Sequence, residues 1–166
     1  MKYKVTGKQN NSARCVVCGT QNPFSLNARF YALENGELAC AFRSEDCHQS
    51  YPERTHGGMT AAVLDELIGR AVCIEEPEVW GVTVEFQIKY RQPVPTETNL
   101  KAIARTTKNS RKLFEGTGEL FLPDGTVAAE AWGKYMKLPL ESISAKQFTE
   151  DVWFLIEEDD PEELEI

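Results

Sequence analysis

The 166-residue sequence has no run approaching the roughly 18 apolar residues that a membrane-spanning helix needs, and its opening, MKYKVTGKQNNSARC, lacks the apolar core of a signal peptide. No membrane association is therefore expected, and the cytoplasm is the expected compartment. An even, secretory set of cysteines is also missing: the five, at positions 15, 18, 40, 47 and 73, form no disulfide framework and suit a reducing environment. No internal repeat and no interdomain linker interrupts the chain. One domain is expected over residues 1–149, with a CxxC-bearing lead-in at 1–25 and an acidic tail at 150–166. That tail has no Lys or Arg and carries nine acidic residues. The formal charge of −8 argues against nucleic acid or anionic lipid as a partner. Without the tail, 17 acids stand against 18 bases, so the body is almost neutral at +1. Its bases concentrate between Lys89 and Lys112, where seven stand against the single acid Glu97. An anion-binding surface would have to come from there.

Leu26 to Leu33 and Glu37 to Arg43 read as two strands joined by a hairpin turn at Asn35-Gly36. The segment MTAAVLDELIGRAVCI, stopping before Pro77, is the one long helix. Strand patterns follow at Val79 to Arg91, Leu100 to Thr107, Leu113 to Leu122 and Thr126 to Leu138. Strict alternation in the first of these puts Val82, Val84, Phe86, Ile88 and Tyr90 on one face and Thr83, Glu85, Gln87 and Lys89 on the other. The helix is apolar nearly all round, with Met59, Ala61, Ala62, Val63, Leu64, Leu67, Ile68, Ala71, Val72 and Ile74, so it must be enclosed. Only the curled sheet, with help from a second subunit, is large enough to do so. The fold class is thus α+β: an antiparallel sheet wrapped around one helix, the architecture called hotdog.

Two features of the helix point to chemistry. Glu66 has Arg70 one turn later, the favourable order for an ion pair. Asp65 has only Ala61, Ala62, Ile68 and Gly69 as helical neighbours, and an unpaired carboxylate in an apolar stripe is costly outside a working site. At the helix start, His56-Gly57-Gly58 brings backbone N–H groups without side-chain cover to the positive end of the helix dipole, where a ligand oxygen can approach. A carbonyl-polarising amide and a base or nucleophile are the two halves of acyl hydrolysis. The bland alternatives are that Asp65 bonds loop amides or a cation of a partner chain, that His56 caps the helix, and that Thr83 is an ordinary strand residue.

The run from His56 to Glu66 resembles the HGG-containing helix start of the hotdog-fold acyl-CoA thioesterases, in the branch of the phenylacetyl-CoA and human superfamily enzymes. Cys18-Gly19 with Asn22-Pro23, Tyr51-Pro52 and Gly81-Val82-Thr83-Val84 extend the resemblance over about Arg14 to Leu138. The resemblance implies an enzyme that hydrolyses an acyl-CoA to a carboxylic acid and CoA. It makes Asp65 the base or nucleophile, Gly57 the amide donor to the thioester carbonyl, His56 a positioning residue and Thr83 the hydroxyl that assists water. Gly58 and Ser50, where many relatives have Asn, fall to the substrate-binding set. Lys108, Arg111 and Lys112 are the expected contacts for the CoA phosphates. It also implies a homo-oligomer, a homodimer or a homotetramer built as a dimer of dimers, with the halves of each site on different subunits. The alternatives are a non-catalytic acyl or acyl-CoA binder, a hotdog dehydratase, for which the loop lacks the proline-rich pattern, and a zinc-dependent binding module. No cofactor and no catalytic metal are expected. A structural zinc at Cys15 and Cys18, completed by Cys47 and His48, is the minority alternative to a tight turn with free thiols.

Overall fold

In the computed structural model, which describes residues 1–144 and 149–166, the elements in chain order are β1 (Lys2–Lys8), β2 (Asn11–Ser12), β3 (Arg29–Leu33), β4 (Leu38–Ser44), α1 (Gly57–Ala71), β5 (Trp80–Tyr90), β6 (Thr98–Asn109), β7 (Leu113–Phe121), β8 (Val127–Leu138), α2 (Leu140–Ile143), β9 (Trp153–Phe154) and β10 (Glu163–Glu165). Eight strands form one antiparallel sheet in the order β10-β1-β3-β4-β6-β7-β8-β5, and β2 pairs separately with β9. The β3–β4 hairpin turns where Asn35-Gly36 predicts, with Gly36 at φ 82°, a left-handed conformation that favours glycine.

Helix α1 lies across the sheet and packs on β4, β5, β6, β7 and β8. Its buried residues, Thr60, Val63, Leu64, Leu67, Ile68 and Ala71, recur at three- and four-residue spacing and so form one face. They join Phe30, Leu38, Leu100, Phe114 and Leu120 from the strands in the main core. Within one chain the sheet encloses only one side of the helix. Ala61, Ala62, Asp65, Glu66, Gly69 and Arg70 remain half-exposed, because a single sheet covers one side of a helix. The helix also starts two residues before the expected Met59, because His56 caps it, and tightens to a 3-10 turn over Val72–Ile74.

Strand β5 departs from strict alternation, and the departure positions the site. Thr83 pairs with Tyr135 and Glu85 with Lys134, so Val84 is the extra residue of a β-bulge. Before the bulge, Thr83 shares the helix-facing side with Tyr135; after it, Phe86 and Ile88 do, opposite Gly133 and Ala131. The expectation that Val82 and Val84 share a face with Phe86 is therefore wrong, and the two valines are 37% and 54% exposed.

The sequence pattern did not predict β1, which is rich in lysine, or β10. Both border a second core cluster of Tyr31, Leu33, Ala39, Ile103 and Leu164, with Tyr3 and Val5 of β1 packed against it. The last residues of the chain, within the acidic tail, pair Glu163–Glu165 with Lys2–Lys4 and bury Leu164. The acidic side chains before them are engaged as well: Glu158 meets Arg29 at 2.7 Å and Lys8 at 3.0 Å, and Asp160 also binds Lys8. Deleting Asp159 to Ile166 should therefore lower stability, by about 1.5–3 kcal/mol from Leu164 alone. A fall in the denaturant midpoint is the expected reading, and an unchanged midpoint would show that the segment is dispensable.

Candidate active site

Asp65 lies in the middle of α1 at the margin of the buried face, where two hydroxyls reach its carboxylate. Thr83 Oγ1 donates to Oδ1 at 3.0 Å and lies 3.2 Å from Oδ2. Tyr135 Oη lies 3.1 Å from Oδ1 and 2.9 Å from the Asp65 carbonyl oxygen. These hydroxyls come from directly opposed residues of β5 and β8, which is why they converge. Burial pushes the Asp65 carboxyl above the ordinary aspartate value of 3.8, and the bonds from Thr83 and Tyr135 oppose the rise. Oδ1 is the carboxylate oxygen nearer to both hydroxyls, which leaves Oδ2 the better placed to accept a proton from a third group.

Tyr135 was not among the residues expected from the sequence. It is 1% exposed, stacks on Phe114 at 4.9 Å, and stays protonated because burial and the Asp65 charge both raise its pKa. A side chain at Gly133 would place Cβ 2.5 Å from the tyrosine hydroxyl, so the strand needs glycine there. The inward series Ala129, Ala131, Gly133, then Tyr135, is the signal that was available: small residues clearing room for one large ring. Tyr135→Phe keeps the ring and removes one hydrogen bond to a charged group, worth roughly 1.5–3 kcal/mol. For a residue that orients the reacting carboxylate, the expected result is a kcat about 10- to 100-fold lower with KM nearly unchanged. A change in KM alone would contradict that role.

At the other end of the helix, His56 is the N-cap, and its Nδ1 accepts from Gly58 N–H at 2.8 Å. Gly58 N–H is thereby used, whereas Gly57 N–H has no acceptor among the described residues, as expected for the first residue of a helix. Tyr90 Oη donates to Gly57 O at 2.8 Å and fixes that end.

A cavity of about 630 Å³ opens beside Asp65, lined by Thr83, Tyr135, Gly69, Trp80 and Trp153 among others. That volume is within the usual range for small-molecule sites. Gly57 lines a different and smaller cavity of about 310 Å³, with Thr60, Tyr90 and Arg91. Within one chain, then, Asp65 and Thr83 are brought together, but Gly57, Gly58 and His56 are not brought to them. Eight residues of helix at 1.5 Å each separate Gly57 from Asp65 by about 12 Å.

Ser50 lies in the exposed loop before α1, where its N–H donates to Arg54 O, and it lines neither cavity. The basic stretch is narrower than its composition suggests. Arg91 pairs with Glu130, Arg105 with Glu37 and Glu119, and Lys108 with Glu115 at 3.0 Å. Arg111 and Lys112, at the β6–β7 turn, have no ion pair among the described residues. The turn adjoins the cavity rim, since Asn109 donates to Glu76 at 2.6 Å and Pro77 lines the cavity. Cys40 and Cys73 are small hydrophobic residues packed in or against the core. No helix among the described residues is long and apolar enough to cross a membrane.

Residues 54–129 match the family model of the Thioesterase superfamily. Among curated proteins, human (Homo sapiens) acyl-coenzyme A thioesterase 13 is 27% identical over 78 residues, 47% of this chain and 56% of the relative. The chain thus spans little more than half the length of the curated relatives it matches. Among solved structures, zebra fish thioesterase superfamily member 2 superposes with a TM-score of 0.60 at 24% identity, covering 66% of this chain and 80% of its own. The Escherichia coli PaaI protein of the phenylacetic acid degradation operon superposes with a TM-score of 0.62 at 15% identity, covering 68% and 80%. These last two likenesses speak for the fold. Residues 54–129, just under half of the chain, thus carry the likeness to the thioesterase superfamily, and the chain has the hotdog fold of its solved members.

Proposed function

We propose that this chain is an acyl-CoA thioesterase that acts as a homo-oligomer, and that Asp65 drives the hydrolysis. The observation that carries this reading is the Asp65 carboxylate itself: raised by burial, oriented by two hydroxyls, and placed at a cavity large enough for an acyl group. The thioester carbon faces Asp65, and Oδ2 takes the proton of the attacking water. Thr83 and Tyr135 hold the carboxylate in register.

Polarising the carbonyl requires a donor, and the unspent one is Gly57 N–H. About 12 Å of helix separates it from Asp65, whereas a carbonyl bond is about 1.2 Å long. One chain cannot apply both groups to one thioester. A second copy related by a two-fold axis can, since a Gly57 of one chain and an Asp65 of the other then meet twice in the dimer. Strand β5 supplies the surface for that copy. It ends the sheet beside β8, its outer edge from Gly81 to Tyr90 has no strand partner among the described residues, and Val84 and Tyr90 are 54% and 53% exposed. A long open strand edge is a feature that folded proteins normally cover. His56 holds the glycine turn by its cap, and Gly58 leaves the approach uncovered. Arg111 and Lys112 are the cations for the CoA phosphates, with Lys108 weakened in that role by Glu115 and Ser50 left without one.

The experiment is thiol release from a panel of short, medium, long and aromatic acyl-CoA esters. Turnover of at least one class, lost on substitution of Asp65, is the expected result. Tight binding of acyl-CoA with no thiol release from any would overturn hydrolysis in favour of a binding protein.

A further inference from the structure

The loop between β2 and β3 holds a cluster that the hydrolysis does not use. Cys15, Cys18 and Glu66 each place one donor atom within 4.8 Å of the other two. Cys18 is fully buried and Cys15 half-buried. The thiol of Cys15 donates to Glu66 Oε2 at 3.0 Å, so one carboxylate oxygen already faces the sulfurs. The other, Oε1, is held by Arg70 through Nε at 2.9 Å and an Nη at 2.7 Å. The sulfurs themselves receive N–H donors: Val17 N–H to Cys15 Sγ at 3.3 Å, and Ser12 N–H to Cys18 Sγ at 3.4 Å. An Arg70 Nη also lies 3.4 Å from Cys18 Sγ. Tight closure of the loop depends on Gly19, where a Cβ would fall 2.5 Å from the Cys15 carbonyl oxygen.

We infer that Cys15, Cys18 and Glu66 form a binding site for a divalent cation of the zinc class. The ligand set of two thiolates and one carboxylate suits a borderline-soft ion, and tetrahedral zinc with sulfurs at about 2.3 Å needs them about 3.8 Å apart, which lies within the 4.8 Å that bounds the three donor atoms. Charge closes as well. Three anionic ligands exceed a divalent ion by one, and Arg70, already bonded to Glu66 and Cys18, supplies the missing positive charge from outside the coordination sphere. Binding replaces the two thiol protons, which leave to solvent, by the metal. The fourth position opens to the cavity that Cys15, Glu66 and Asp65 line together, so water completes the tetrahedron. Cys47 and His48, the completing ligands expected from sequence, are not part of it. Cys47 is exposed, and both His48 ring nitrogens are engaged, with Glu45 N–H at 2.9 Å and Phe24 O at 2.9 Å. The ion would pin the loop to α1 at the residue next to Asp65, and the site stands whether or not the chain hydrolyses thioesters.

The test uses the full chain with its thiols reduced, titrated with Zn²⁺ and separately with Co²⁺. Expected are one equivalent bound per chain, release of two protons, and thiolate-to-metal charge-transfer absorption in the Co²⁺ form. Cys15→Ser should abolish that absorption, and Glu66→Gln, which keeps the side-chain shape, should weaken binding at least 10-fold. Failure of the reduced wild-type chain to bind either ion, or binding without a charge-transfer band, overturns the site without need of any variant. Undiminished affinity in Glu66→Gln overturns the three-ligand assignment.

Discussion

Asp65→Asn should lower kcat for thioester hydrolysis by about 10²- to 10⁴-fold, the usual contribution of a positioned general base. Asparagine keeps the size of the side chain and an oxygen that can accept from Thr83 and Tyr135, so the surroundings are preserved. What is lost is the capacity to take a proton. The same substitution should leave the unfolding midpoint unchanged or raise it. Burial disfavours the charged form of Asp65, and removing a half-buried charge relieves that cost. The pairing of a large kinetic loss with no loss of stability distinguishes a reacting carboxylate from a structural one. A structural aspartate would show the reverse: a lower midpoint with kcat little changed. Steady-state kinetics and thermal unfolding on one preparation read both.

Gly57→Pro should lower kcat by about 10²- to 10³-fold, the range for loss of one oxyanion donor. Proline is the substitution of choice because it deletes the N–H at a position that tolerates it. Gly57 is the first residue of α1, where proline is common, and the preceding His56, at φ −60° and ψ 133°, already has the extended conformation that a following proline imposes. The one steric demand is on Tyr90, whose ring lies 3.3 Å from a Cβ built at Gly57 and must give by a few tenths of an ångström. Gly57→Ala is therefore the control: it makes the same steric demand and keeps the N–H. Rates close to wild type for alanine and far below it for proline are expected. Equal losses in both would assign the effect to crowding at Tyr90 instead of to the amide.

Most of the sheet and the helix could be read from the sequence because their patterns are local. The Asn35-Gly36 turn, the apolar spacing along α1 and the alternation in β6 to β8 each state their conformation within a few residues. Strands β1 and β10 could not be read this way. KYKVTGK and ELE carry few apolar residues, and what makes them strands is a pairing between the two ends of the chain. The β5 bulge was hidden for a related reason. Val82, Val84 and Phe86 alternate well, and only the register against Tyr135 and Lys134 shows that Val84 is extra.

The candidate site divides along the same line. Asp65 stood out because a charge without a helical partner is visible one turn either way, and the His56-Gly57-Gly58 turn because two glycines announce a helix start. Tyr135 did not, because its bond to Asp65 spans 70 residues of chain. Composition exaggerated the basic rim, since Arg105 and Lys108 meet carboxylates on neighbouring strands that the sequence does not place beside them. The acidic segment misled in the opposite direction. Read alone it is a solvated tail, yet Glu158 and Asp160 find Lys8 and Arg29 in the folded chain.

The claim that the active site is shared between two copies can be tested with the two disabled chains together. Asp65→Asn and Gly57→Pro chains carrying different affinity tags are co-expressed, and the heterodimer is isolated through both tags. One of its two sites then combines an intact Gly57 with an intact Asp65, and the other has neither. Recovery of about half of the wild-type rate of thiol release, from parents that are each nearly inactive, is the result this account requires. A heterodimer as inactive as its parents would contradict it.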